Sequence, residues 1–481
     1  MNLDDVVYVI CLLACIGAGS YLRKIPDKVQ KKYISTALGL LMVFIVSGYN
    51  SLHCLVSAFL GAAAVVFVHP SICHLAAFFV MFGYLAFFRL ASNFGLPEPP
   101  GHINMIQMIM TLKIAGVGFE KTASWKKLKE HEKDEQVEVS KFDRDVQSIN
   151  MIEIFHYSFN YIGILTGPYY RYRTYSDYFE TSYADYAPTI QTTVDRLKNA
   201  GIYCSLYLLG NYIWPLEYAL TDEFYNERSY FYRLFYIWPT FFIFRMRIYT
   251  GLTLSECVCT MAGFGAYPTE VDVAYGGGPR KAYDNFKPET YKGEYTFATI
   301  VNANVMGVEK CSTFRETMKH WNICVQYWLA VNIYKLFPSK KYRTAATLLV
   351  SAYWHGFRPG HYFCLMGAPF YVHNEDMWEK LVPKYPNGPM KHLRDFLFWF
   401  FKFFCGSYLG TAFLLVTFEK IWRFYSSVYH TCYISWFVFL VVGTVLTKQR
   451  KAEEKRKKRL EENKAKAAEQ DEVISGKEKS Q

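Results

Sequence analysis

The sequence predicts an all-α, polytopic integral membrane protein with roughly 9–12 transmembrane or re-entrant helices. Three observations predict it. Apolar residues make up 52% of the chain and aromatics 18%. Apolar runs of near-bilayer length recur from the N-terminus almost to the end. Charged residues, 20% of the total, are concentrated in Glu120–Asp145 and in the C-terminal tail. We read residues 1–447 as one multi-span domain, with a charged loop at 120–148, and residues 448–481 as a basic, polar tail.

Val6–Leu22 reads as the first span. Acidic Asp4 and Asp5 precede it instead of a basic segment, and no small-residue cleavage site closes it, so it is not a removable signal. Tyr33–Gly48 and Leu52–Val68 follow across the polar turn Tyr49-Asn50-Ser51. Ile72–Leu90 is stopped by the Pro- and Gly-rich Leu96–Gly101. Ile103–Val117, with Gln107, Thr111 and Lys113 among apolar residues, fits a short span facing protein or an interfacial helix. Glu120–Asp145 mixes Lys with Glu and reads as a solvated loop, irregular or partly helical.

In Phe155–Tyr178, Pro168 breaks any helix. Arg171 and Arg173 then alternate with Tyr170, Tyr172 and Tyr175, a pattern that suits a phosphate at the interface or an aromatic belt with snorkelling arginines. Gly201–Pro215 is a further span. Phe231–Cys259 places Arg245 and Arg247 among apolar neighbours, where they need carboxylates, carbonyls or water. A pair with Glu256, or a polar cavity, would answer that need. The glycines of Ala274–Pro279 match no nucleotide fingerprint and read as a structural loop. Tyr291–Val305 reads as re-entrant or peripheral.

Thr313–Lys335 has helical periodicity, with Arg315, Lys319, Asn322 and Gln326 near one face. Such a stripe can line a cavity, or Asn322 can bond across helices. Thr347–Tyr362 carries His355 between Trp354 and Gly356 in an apolar setting, where an ionisable residue is costly and is usually kept for a pathway or reaction. Phe396–Val416 and Tyr433–Leu446 are the last spans, joined by the aromatic connector Trp422–Tyr429. Lys448–Arg459 is strongly basic, which places the tail in the cytosol by the positive-inside rule. The tail reads as solvated and at most partly helical, ending in a Lys477-x-Lys479-x-x pattern similar to an endoplasmic reticulum retrieval signal.

The 12 cysteines are scattered, lack any C-x-x-C pair and lie largely in apolar runs. They read as buried apolar residues, with no disulfide framework and no metal site. The net charge of +11 belongs partly to the tail and does not indicate a nucleic-acid partner.

His320-Trp321-Asn322, followed by Ser351-Ala-Tyr-Trp-His355-Gly356, resembles the membrane-bound O-acyltransferase family. Thr166–Tyr175, Phe244-Arg-Met-Arg247, Ala262–Pro268 and Gly276–Pro279 narrow the resemblance to its lysophosphatidylinositol acyltransferases. The resemblance implies an acyltransferase of the endoplasmic reticulum with a catalytic chamber among its helices. It would move a polyunsaturated, arachidonoyl-type chain from acyl-CoA, as co-substrate, to the sn-2 hydroxyl of lysophosphatidylinositol. The family's essential histidine falls on His355 and its essential asparagine on Asn322.

These residue types fit the chemistry. A neutral imidazole can take a hydroxyl proton as the oxygen attacks a thioester, and burial favours the neutral form. An amide can orient the donor or stabilise an oxyanion. No cofactor is required, and an acyl-cysteine on Cys311 or Cys324 is the alternative to direct transfer. Candidates for the anionic substrates are Arg171, Arg173, Arg245, Arg247, Arg315, Lys319 and Lys335, with Tyr353 and Trp354 beside the histidine. Expected partners are membrane lipids, acyl-CoA and the lysolipid. The rival readings are another lysolipid headgroup, a protein substrate, or a non-enzymatic transporter or scaffold.

Overall fold

The computed structural model describes residues 3–181, 183–281, 283 and 288–478. Its helices are α1 Leu3–Leu22, α2 Lys28–Ser47, α3 Ser51–Phe67, α4 Cys73–Arg89 and α5 Gly101–His131. Short helices α6 Lys141–Asp145, α7 Met151–Ser158, α8 Tyr172–Glu180 and α9 Tyr183–Tyr186 lead to α10 Thr189–Ile213, α11 Asp222–Glu227 and α12 Tyr230–Ala262. Then come α13 Val305–Lys310, α14 Phe314–His320, α15 Ile323–Leu329 and α16 Arg343–His355. The chain closes with α17 Pro359–Leu381, α18 Pro389–Leu415, α19 Phe418–Ser427 and α20 Thr431–Glu478. Strands among the described residues are two-residue pairs, Tyr267-Pro268 with Tyr295-Thr296 and Val273-Ala274 with Gly278-Pro279. The protein is all-α and polytopic. Among the described residues, Leu3–Leu22, Lys28–Phe67, Pro389–Leu415 and Thr431–Lys466 are long and apolar enough to cross a membrane on length and composition.

The 33-residue α12 is the axis of the fold. Its first turns, at Tyr236 and Ile237, join a core with α17, α18 and α19. Its last turns, Leu254–Ala262, join the larger core built on α1–α5, α7 and α8. Helix α1 runs parallel to it. Arg247 on α12 bonds Asp5 on α1 at 2.9 Å, and a Cβ at Gly19 would lie 3.1 Å from the Ala262 nitrogen. Helix α10 runs antiparallel to it, with Thr193 bonded to Thr260 at 2.8 Å and Gly210 admitting the Ile243 side chain. The middle of α12 is left between the two cores.

Helix α5 corrects the sequence reading most. It is neither short nor interfacial: at 31 residues it spans about 46 Å, and it is buried from Ile106 to Thr122 save for the half-buried Met108. The assignment of 120–148 to a solvated loop fails because the first of those charges have partners inside the protein. Glu120 accepts from the Tyr172 and Arg173 backbone N–H groups at 2.8 and 3.2 Å and pairs with Arg171 at 3.4 Å. Lys121 donates to the Val65 carbonyl at 3.1 Å. Lys113 is fully buried, donates to the Tyr170 hydroxyl at 3.1 Å and lies over the Tyr157 and Tyr170 rings. Further along, Ser140 and Asp143 form a capping box at the start of α6. Burial works against the Asp143 charge, yet hydrogen bonds from Lys127, Ser140 and Ser124 hold its carboxyl down to about 2.

Two more expectations change. Thr313–Lys335 is not one striped helix: α14 stops at His320 and α15 restarts at Ile323. The tail is not largely irregular either. Helix α20 continues from the last span through the basic block to Glu478, so no element ends at residue 447. Its Lys-, Glu- and Ala-rich composition favours helix, with Arg450 bonding Glu454 at 3.2 Å one turn on. The retrieval-like pattern at Lys477–Gln481 ends outside the described residues.

Candidate active site

Between the two cores lies a cavity of about 690 Å³, walled by α1, α5, the middle of α12, α14, α16, α17 and α18. Its wall is mostly apolar, with a few polar groups, and its volume is that of a pocket for an extended small molecule. His355 and Asn322 both line it.

His355 is the last residue of α16. Gly356 then takes φ 150°, and a Cβ there would meet the His361 ring at 2.9 Å, so the chain turns sharply away and leaves the imidazole at the helix end. Three bonds fix that end. Arg89 donates to the Tyr353 and Trp354 carbonyls at 2.8 and 2.6 Å, satisfying acceptors that a helix C-terminus leaves open. The Trp354 indole donates to the Met108 carbonyl at 2.9 Å. The His355 ring packs edge-on to Phe413, with centroids 5.3 Å apart, and lies 6.2 Å from His361. No side-chain hydrogen-bond partner of His355 is found among the described residues.

Asn322 occupies the break between α14 and α15 in the left-handed region, at φ 48° and ψ 48°. Asparagine tolerates that region better than most residues. The segment 302–304 holds the break: Ile323 donates to the Asn302 carbonyl at 2.6 Å, and Asn304 to the His320 carbonyl at 2.9 Å. Asn302 is itself anchored, its N–H on the buried Glu256 carboxylate at 2.7 Å. Glu256 in turn faces Arg196 at 3.6 Å. Of the two answers open for Arg245 and Arg247, the pair with Glu256 is therefore not made, while the cavity is present.

Of the basic residues proposed from sequence, Arg245 and Arg247 line the cavity. Arg245 is held by Glu309 at 2.9 and 3.2 Å, and Arg247 by Asp5. Arg171, Arg173, Arg315, Lys319 and Lys335 are not on its wall. Arg171 is tied to Glu120, Arg173 to the Tyr283 hydroxyl at 3.0 Å, and Arg315 to Asp376 at 2.8 Å, while Lys319 and Lys335 are exposed. Trp354 lines the cavity; Tyr353 points its hydroxyl at the Phe82 carbonyl, 3.1 Å away. Cys311 and Cys324 are off the wall, and Cys324 is fully buried with its thiol on the Val301 carbonyl at 3.3 Å.

Sequence reasoning missed Lys402, His361, Asp5 and His102, all on the cavity wall. Lys402 was detectable as a lone cation in an aromatic run. Its ammonium donates to the Val308 and Cys311 carbonyls at 3.0 and 2.6 Å, tying α18 to α13.

Comparison with known proteins agrees with this architecture. Residues 99–418 match the membrane-bound O-acyltransferase family. A membrane-bound acylglycerophosphatidylinositol O-acyltransferase of Drosophila melanogaster is 63% identical over 94% of this chain and 95% of its own length. The Homo sapiens protein of the same description is 33% identical over 93% and 95%, and the Caenorhabditis elegans one 29% identical over 94% and 98%. The cavity, the histidine at its helix end and the matched length together place the chain: it belongs to the membrane-bound O-acyltransferase family.

Proposed function

We propose that the protein acylates the sn-2 hydroxyl of lysophosphatidylinositol, taking a polyunsaturated, arachidonoyl-type chain from acyl-CoA without a further cofactor. The observation that carries the reading is the placement of His355 and Asn322 on one mostly apolar cavity, each with its side chain free of hydrogen-bond partners among the described residues. The relatives are described as acylglycerophosphatidylinositol O-acyltransferases, which supports that acceptor. The endoplasmic reticulum is the proposed location, with the exposed basic stretch Lys448–Arg459 on the cytosolic side.

In this scheme the His355 imidazole takes the acceptor's hydroxyl proton as the oxygen bonds to the thioester carbonyl carbon. The Asn322 amide donates to the carbonyl oxygen as it becomes negative, an interaction whose loss typically costs about 2.7–4 kcal/mol. Collapse of the tetrahedral intermediate breaks the C–S bond, and the leaving thiolate recovers the proton from the imidazolium. The positions of Cys311 and Cys324 away from the wall favour direct transfer over an acyl-cysteine on either of those two residues. The mostly apolar wall limits water that would hydrolyse the thioester.

The test is acyl transfer in microsomes from arachidonoyl-CoA to a panel of lysophospholipids, with wild type and His355→Ala at matched expression. Selective transfer to lysophosphatidylinositol, reduced about 10²–10⁴-fold in the variant, is expected from loss of a general base. Failure of wild type to acylate lysophosphatidylinositol, or a variant within tenfold of wild type, would refute the reading.

A further inference from the structure

His355 takes its aim from its backbone. A catalytic imidazole is ordinarily oriented by a hydrogen bond to its second ring nitrogen, and the His355 ring has no such partner among the described residues. The peptide plane between Trp354 and His355 therefore sets the direction in which the side chain leaves the helix. Arg89 grips that plane. Its Nη2 donates to the Trp354 carbonyl at 2.6 Å and its Nη1 to the Tyr353 carbonyl at 2.8 Å. Neither carbonyl has a backbone donor among the described residues, because the chain turns away at Gly356, whose N–H bonds Ala352.

Arg89 is the last residue of α4. Its Nε donates to Asn104 Oδ1 on α5 at 2.9 Å, which turns the flat guanidinium so that both terminal nitrogens face the end of α16. No carboxylate pairs with it among the described residues. A cation in such apolar surroundings is costly without an acid, and the negative end of the α16 dipole takes the acid's place. Two neighbouring carbonyls match the planar fork of an arginine, which the point charge of a lysine does not reproduce. The Tyr353 hydroxyl and the Trp354 indole add bonds to the Phe82 and Met108 carbonyls, at 3.1 and 2.9 Å. These two bonds keep α16 docked on α4 and α5 when the guanidinium is removed.

We propose that Arg89 is a positioning residue for acyl transfer, holding the Trp354–His355 peptide so that the imidazole reaches the acceptor hydroxyl; the proposal rests on the reading of His355 as the general base and goes beyond it. A general base must come within about 2.6–3.2 Å of the proton-bearing atom, and a misplacement of about 1 Å can cost about 10²-fold in rate. Arg89 is off the cavity wall, so it touches neither substrate and acts through His355. Its loss therefore falls on the chemical step and spares binding.

The experiment uses the purified full-length protein, with kcat and Tm measured together with KM for lysophosphatidylinositol and for arachidonoyl-CoA. Arg89→Gln is expected to lower kcat about 10–10²-fold and to leave both KM values at about those of wild type. Arg89→Lys keeps the charge and loses the fork, and should recover part of kcat. Lys121→Met is the comparison for the bare loss of a buried cation on a carbonyl. Lys121 donates to Val65 at 3.1 Å and is off the cavity wall, so this variant should lower Tm with kcat at the wild-type value. An Arg89→Gln kcat equal to wild type, a raised KM with kcat unchanged, or an Arg89→Lys kcat no higher than that of Arg89→Gln would overturn the proposal. A matching fall of kcat in Lys121→Met would overturn it as well, by reducing the effect to general destabilisation. Should Arg89→Gln fail to fold, Arg89→Lys decides: a kcat at the wild-type value refutes the positioning role. Inactive wild type, or a fully active His355→Ala variant, would overturn this and the functional reading together. Active wild type with an impaired His355→Ala and an unimpaired Arg89→Gln overturns the role of Arg89 alone.

Discussion

Glu256 is the residue through which the fold sets the position of Asn322, and Glu256→Ala tests that link. The carboxylate is buried, accepts the Asn302 N–H at 2.7 Å and faces Arg196 at 3.6 Å. Its removal leaves a buried backbone donor unpaired, worth about 1–3 kcal/mol, and strands a guanidinium; deleting one partner of a buried pair costs about 3–5 kcal/mol in all. Arg196 is 18% exposed, and partial screening places the total near the lower bound, at about 3 kcal/mol. Glu256→Gln keeps one acceptor oxygen for the Asn302 N–H but sets an NH2 donor against Arg196, so its loss of stability should fall between wild type and Glu256→Ala. Combining Glu256→Ala with Arg196→Met removes the stranded charge and should restore about 1–2 kcal/mol. The assay is thermal unfolding of the detergent-purified variants together with kcat and KM. Because the Asn302 carbonyl accepts the Ile323 N–H, a displaced Asn302 moves the break that presents Asn322. Glu256→Ala should therefore lower kcat more than it raises either KM, with Glu256→Gln close to wild type. Equal melting of the Ala and Gln variants, or a coupling below about 0.5 kcal/mol in the cycle, would refute the reasoning.

Two further outcomes follow from close contacts and exposure. A Cβ at Gly39 would lie 1.8 Å from the Phe159 carbonyl oxygen and 2.8 Å from the Tyr161 nitrogen; both are backbone, so Gly39→Ala should cost about 1–3 kcal/mol or more and lower the yield of monodisperse protein on size exclusion, while Gly17→Ala, with nothing within 4 Å, should not. Truncation after Arg450 removes an exposed helical extension and should leave Tm and transfer at wild-type values. Truncation before Lys448 also removes the Arg450 bond to the Lys380 carbonyl, 2.9 Å at the end of α17, and should lower stability by about 0.5–1.5 kcal/mol in the same melts.

The parts of this protein legible in its sequence are those governed by local cost. An apolar run of bilayer length, or an imidazole inside one, stands out because the alternative environments are expensive. That is why α1–α4 and His355 were found where they lie. What was not legible depends on partners distant in the chain. Glu120 looked solvated because its partners, at residues 171–173, come from another element. The helix break at Asn322 carries no Gly or Pro, and only the pairing of 302–304 with 320–323 imposes it.

The pairing of Arg245 with Glu256 was different, because elementary geometry excludes it. Both residues lie on α12, and eleven residues of helix separate them by about 16 Å along the axis, beyond direct contact for two side chains. Once α12 is helical, each must find its partner elsewhere, and they do so on Glu309 and Arg196. The same geometry separates the two arginines. Two positions along a helix are about 200° apart around it, so Arg245 turns to Glu309, with Phe403 of α18 under its guanidinium, and Arg247 turns to α1. Arg245 is anchored by Glu309 yet keeps Nη1 without a partner among the described residues, and Arg247 is half-exposed with its one bond to Asp5.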